Sequence, residues 1–289
     1  MDVNEITKGK LESPAALIEL AESLTPSLRS QEAPIRWAFR GQSQAYGTLV
    51  PSFQRIFSEK RYAGAAEMME RDLIKTFRVH YEKLKDRTHD MPQPYQIGEG
   101  FDLRCLSTMQ HYGVPTRLLD WTSHFWTAVY FACTGDPSKD AELWIYNRDY
   151  FFEPSTLAPE FLSLLQPSTN NVSPNIEPDL LSWRYANLIV ELDPQLTPRM
   201  KEQFAHHTLS SDVLADHVPL LLNRAREKNS EGDIAFDFRR ILITAACKEK
   251  TLRFLADQKN ITAGTIFPDV EGLGKFLHWH LQSLVTTLL

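Results

Sequence analysis

Between Gln110 and Ala132 the chain reads Gln-His-Tyr-Gly-Val-Pro-Thr-Arg-Leu-Leu-Asp-Trp-Thr-Ser-His-Phe-Trp-Thr-Ala-Val-Tyr-Phe-Ala, with His111, Arg117 and Asp120 set between two apolar runs. Burying such groups unpartnered costs about 2–7 kcal/mol each, so they either pair with one another or face a site. A His111–Asp120 pair would orient the imidazole and poise it for proton transfer near neutral pH. The bland alternatives are equally simple: His111 satisfying carbonyls at a helix C-terminus, and Asp120 capping the helix that follows. Arg117, beside Thr116, would point away from Leu118 in an extended chain and share an anion with a second arginine.

That second arginine is Arg40. It ends the segment Ile35-Arg36-Trp37-Ala38-Phe39-Arg40-Gly41, which has the alternation and aromatic content of a half-buried strand. A guanidinium donates two parallel hydrogen bonds and so suits phosphate or pyrophosphate, while Gly41 would let the backbone approach a ligand closely. The competing reading is a structural salt bridge from Arg40, with Asp120 as one partner. Tyr112, Trp121, Trp126, Tyr130 and Phe131 offer a wall for a flat ring, although Trp126 and Tyr130 also fall at the spacing of a helix core face. Metal and hydrolase templates find no match. His206 adjoins His207, His278 and His280 lie two apart, and there is no His-Glu-x-x-His, Gly-rich phosphate loop or Gly-x-Ser-x-Gly turn. No metal and no obligatory cofactor are expected.

Elements able to position these groups can be read along the chain. Ser13-Pro14 opens an amphipathic helix to about Leu24, and a helical period runs from Ala65 to Leu84. Asp86 to Gly100 reads as a loop, Phe101 to His111 as a helix with Gly113 as its left-handed C-terminal residue, and Val114-Pro115 as the start of an extended stretch. A further helix is expected from His124 to Cys133, strands at Glu142–Tyr146, Asn187–Glu191 and Arg240–Ala245, and helices at Asp212–Lys228, Lys248–Asp257 and 271–286. Residues 150–182, rich in Pro, Ser and Asn, read as an irregular excursion with one short helix at Pro159–Leu165. The irregular order of strands and helices predicts an α+β fold, a small mixed or largely antiparallel sheet packed by several helices. An N-terminal helix within 1–29 would join a single domain over 30–289.

Composition narrows the classes. The 289 residues are 43% hydrophobic, enough for a large core, with net charge −6 and no basic run that would advertise a nucleic-acid or anionic-membrane surface. Cys105, Cys133 and Cys247 are isolated and odd in number, as free buried thiols are. With no signal-like N-terminus and no long apolar window, a cytoplasmic location is expected.

Together the tripeptide Phe39-Arg40-Gly41, the Leu49-Val50-Pro51 that follows it, and the Gln110–Ala132 motif resemble the FRG domain family, and Ile266-Phe267-Pro268-Asp269-Val270-Glu271-Gly272-Leu273 is similar to a third element of it. The resemblance covers about residues 30–280. Through its motifs it implies a ligand site made by Arg40, Gly41, Gln110, Tyr112, Thr116, Arg117, Trp121 and Tyr130, joined by Arg199 and Gln203 from an Arg-x-x-x-Gln element. In relatives that element continues with glycine; here Phe204 follows Gln203. FRG domains in turn resemble the ADP-ribosyltransferase superfamily, which implies NAD as substrate, Arg40 holding it, Tyr112 or Tyr130 stacking on nicotinamide, and a late carboxylate, Asp269 or Glu271, with Glu191 and Asp120 as alternatives. Two readings follow: an NAD-consuming transferase or glycohydrolase acting as a defence or toxin effector, with a protein target in the transferase case, and a non-catalytic module sensing a small nucleotide-like anion.

Overall fold

A computed structural model describes residues 6–24, 37–57, 63–84, 103–148, 189–192, 198–230, 237–269, 272–278 and 280. Along the chain these form β1 (Thr7–Leu11), α1 (Pro14–Leu24), β2 (Trp37–Gln42), α2 (Ser52–Ile56), α3 (Ala63–Leu84), α4 (Leu103–His111), β3 (Leu118–Thr122) and α5 (Phe125–Cys133). They continue with β4 (Ala141–Asn147), β5 (Ile189–Leu192), α6 (Pro198–Glu202), β6 (Ala205–Ser210), α7 (His217–Ser230), β7 (Phe238–Ile243), α8 (Ala245–Lys259) and α9 (Ala263–Ile266). Residues 272–278 are helical.

The strands make one sheet in the order β1-β7-β4-β2-β3-β6-β5. Among the described residues only β1 and β7 pair in parallel, and the other ladders are antiparallel. The fold is therefore α+β with a mixed, largely antiparallel sheet. At seven strands the sheet is larger than expected, because β1 and β6 carry no apolar alternation. Thr7-Lys8-Gly9-Lys10-Leu11 is a polar edge strand, and Ala205-His206-His207-Thr208-Leu209-Ser210 is buried throughout despite its four polar residues.

All seven residues of β4 are buried, because helices cover both faces of the sheet. Leu143 and Ile145 pack with Phe39 against α5, α8 and α1. Trp144 and Tyr146 point the other way, with Trp121 and Phe238, onto Val218, Leu221 and Leu222 of α7. Each such side chain contributes about 1.5–3 kcal/mol by leaving water. Helix α5 is apolar nearly all round, which fits an element buried against the sheet and α8.

The local signals locate most helices. Ser13 caps α1 through its Oγ, which accepts from Ala16 N at 3.3 Å. Gly113 takes φ 79° just past α4, where its N–H bonds Gln110 O. Asp120 caps nothing, however: it lies within β3, and the N-cap of α5 is His124, whose N–H bonds Thr122 Oγ1 at 3.0 Å. The expected excursion at 150–182, the loop at 86–100 and the helix at 159–165 lie outside the described residues.

Candidate functional site

Strands β2 and β3 are neighbours, yet they share a single ladder pair, Phe39 with Thr122, whereas β2 and β4 share six. Past Phe39 the two strands no longer pair. A cavity of about 400 Å³ opens at this gap, bordered by residues 39–43 on one side and 120–122 on the other. A break between central strands leaves backbone and polar side chains facing space, a common way to build a ligand site.

Arg40 stands at the break. Its Nη1 donates to the Asp120 carbonyl at 2.6 Å, while its Nε is buried without a hydrogen-bond partner. Burial lowers its pKa and Arg55 pushes the same way, against the attraction of Asp120 and Glu142; the guanidinium nonetheless stays charged. Arg55 of α2 and Arg199 of α6 border the same cavity. Arg199 lies over the Phe267 ring at 4.4 Å, and Gln203 Nε2 donates to Ile266 O at 3.2 Å, so the 266–269 segment braces this wall. The missing glycine is tolerated: Phe204 itself takes φ 48°, and its N–H still closes a turn onto Lys201 O at 3.0 Å.

Asp120 is the carboxylate bordering the cavity. The histidine against it is His207, not His111. Asp120 and His207 are direct partners across β3 and β6, and Nδ1 lies 3.0 Å from Oδ1. Gln110 Nε2 donates to the same oxygen at 2.6 Å, and Gln110 Oε1 accepts from Thr116 Oγ1. Desolvation by the surrounding protein acts to raise the Asp120 pKa although the side chain is partly exposed, but the contacts with His207, Arg40 and Gln110 outweigh it and hold the carboxyl at about 2. The pKa of His111 is lowered, chiefly by burial and then by Arg199, and its ring meets Tyr112 edge-on at 4.9 Å.

Several residues expected at the site have other partners. Arg117 is 2% exposed; its Nε and Nη2 grip Glu70 of α3, and Nη1 donates to Ser210 O at 3.1 Å and Ser211 O at 2.8 Å, so it shares no anion with Arg40. Thr116 is fully buried and ties Ser52, Phe53 and Leu118 together. Gly41 faces the backbone of α5 rather than a ligand alone. Trp121 turns its ring into the core and donates Nε1 to Thr208 Oγ1 at 2.9 Å. Tyr130 is a core residue whose pKa burial raises, and Tyr112 is exposed, 6.4 Å from the Tyr81 ring. Asp269 caps the 272–278 helical turn through Gly272 N at 2.7 Å. Glu271 lies outside the described residues, as does the side chain of Glu191.

Residues the sequence reading missed include Arg55, Tyr46 and His207. Arg55 follows the Leu49-Val50-Pro51 signal closely enough to have been suspected; His207 owes its place to strand register alone. Among the described residues no group of three or more His, Cys, Asp or Glu is placed to hold a metal, and no helix is long and apolar enough to cross a membrane.

Behind the site, His217 is fully buried with Nδ1 2.9 Å from Thr208 Oγ1. Burial first, then Arg40 and Arg117, depress its pKa to about 3. The unfolded chain binds a proton near pH 6.5 that the folded one refuses, so stability falls as pH drops from about 6.5 toward 3, by about 1.4 kcal/mol per pH unit. His206 acts in the same direction, also chiefly through burial. Urea midpoints at pH 7 and 5 should therefore differ, and His217→Gln should reduce that difference; an unchanged difference would contradict a neutral buried His217.

Compared with known families, residues 35–141 match the FRG domain, a span that includes Arg40, Arg55, Gln110 and Asp120 and leaves out Arg199 and Gln203. No curated protein and no solved structure matches the chain.

Proposed function

We propose, starting from the match of residues 35–141 to the FRG domain, that the protein binds a small nucleotide-like anion in the cavity between β2 and β3. The observation that carries this reading is the set of three guanidiniums, Arg40, Arg55 and Arg199, on one cavity of a chain whose net charge is −6. A concave site with low-dielectric walls concentrates such a field, and charge-assisted bonds to phosphate are worth about 1.5–3 kcal/mol each. Tyr46 and Phe131 border the same space and supply ring surface for a base.

A catalytic reading has its own support, because Asp120 puts an ionised carboxylate in the same cavity as the arginines. There NAD is a substrate: its pyrophosphate sits on the arginines, and the carboxylate stabilises positive charge developing on the ribose as nicotinamide leaves. Turnover would place the protein among NAD-consuming effectors of defence or toxin systems, with a protein target if the ADP-ribosyl group is transferred. Binding without turnover would make it a nucleotide-sensing module.

The experiment titrates ADP and NAD by calorimetry and follows nicotinamide release from NAD. Arg40→Ala is expected to weaken ADP binding about 10- to 100-fold, the loss of one charge-assisted contact. ADP affinity equal to that of the wild type would refute the anion site. Saturable NAD binding without nicotinamide release would sink the enzyme reading and leave the sensor.

A further inference from the structure

Ser107, His207 and Asp120 stand in the contact order of a hydrolytic triad: Ser107 Oγ is 3.0 Å from His207 Nε2, and His207 Nδ1 is 3.0 Å from Asp120 Oδ1. Exposure runs the opposite way from a hydrolase. Ser107 is 1% exposed and His207 2%, whereas the Asp120 side chain is 58% exposed. No substrate reaches the serine, so the open end of the chain is the carboxylate.

Both supports of Asp120 converge on one oxygen. Gln110 Nε2 donates to Oδ1 at 2.6 Å and His207 approaches Oδ1 at 3.0 Å, while Oδ2 has no partner among the described residues. Arg40 takes the main-chain carbonyl of the same residue and not its carboxylate, and Asp120 borders the cavity. A carboxylate oxygen left without a partner at the edge of a cavity is an acceptor for a ligand donor. Its depressed pKa keeps it ionised and weakly basic, which suits hydrogen-bond acceptance better than proton transfer.

Resting on the anion-site reading, we propose that Asp120 Oδ2 receives a sugar hydroxyl, so that the cavity selects a phosphorylated sugar with its phosphate on the arginines. Near three guanidiniums the carboxylate also weakens the hold on bare phosphate, because like charges repel. The site therefore discriminates in two ways, toward a ligand whose anionic group and hydroxyl donors are separate, and away from a simple anion.

Calorimetry of the full chain with inorganic phosphate and with ribose 5-phosphate tests this. The wild type should prefer ribose 5-phosphate by about tenfold or more, the scale of one hydrogen bond to a charged group. Asp120→Asn and Asp120→Ala should lose that preference while phosphate binding stays equal or tightens. A wild type without the preference, or variants that keep it, would overturn the hydroxyl assignment and leave the anion site standing. Absence of Arg40-dependent binding of either compound would overturn both.

Discussion

Replacing Gly41 with alanine is expected to destabilise the protein by at least the upper part of the usual overpacking range of about 1–3 kcal/mol. A Cβ at this position would run into the carbonyl oxygen of Ala128 and come within 2.5 Å of Ala132 N. Both atoms belong to the α5 backbone, so no side chain can swing away. The helix would have to lift from β2, and with it Ala128, Val129 and Ala132 would leave the core they share with Phe39, Leu143 and Ile145. Gly113 supplies the comparison: an added Cβ there meets nothing within 4 Å, and alanine costs only the strain of φ 79°. Urea denaturation of the two variants separates the cases. If Gly41→Ala unfolds within about 0.5 kcal/mol of the wild type, the scale of a neutral surface change, the close approach of α5 is not the reason for this glycine.

The same position shows what local sequence can and cannot convey. A glycine after a strand-borne arginine is a visible signal, but ligand, helix and turn would each ask for it, and the partner α5 starts more than eighty residues later. Helices α1, α3, α4 and α5 were legible because caps and the 3.6-residue period are written within each segment. Strands β1 and β6 were not, since an edge strand needs no apolar face and β6 buries polar groups that other elements satisfy: His207 meets Ser107, and Thr208 meets Trp121 and His217.

At the site, Arg40, Asp120, Arg199 and Gln203 were singled out from their types and motifs, and all four border the cavity. The histidine against Asp120 is His207 and not the His111 that local spacing offers, for a physical reason. His111 is near in sequence, whereas His207 is brought opposite Asp120 by the β3–β6 register, which no local pattern encodes. Arg117 differs from its expected place for the same reason. Its spacing in an extended segment was right, but the carboxylate waiting for it, Glu70, sits 47 residues upstream on another element.

That pair yields the second large effect. Arg117→Ala is expected to cost about 3–5 kcal/mol, the range for breaking a buried ion pair by removing one member. The loss exceeds the worth of the pair because of what remains behind. Glu70 is 1% exposed and would be left charged or forced to take up a proton, and the carbonyls of Ser210 and Ser211 would each lose a donor. Removing both charges is a different experiment. In Glu70→Leu with Arg117→Met the apolar replacements keep the volume, and most of the stability should return, with a residual deficit from the two serine carbonyls. A double-mutant cycle in urea measures both. If the double variant is as unstable as the sum of the singles, the two side chains are not coupled and the assignment of Arg117 to structure fails. Recovery in the double variant, with ADP binding of the folded protein retained, would fix Arg117 as the clamp between α3 and the end of β6 and leave ligand recognition to Arg40, Arg55 and Arg199.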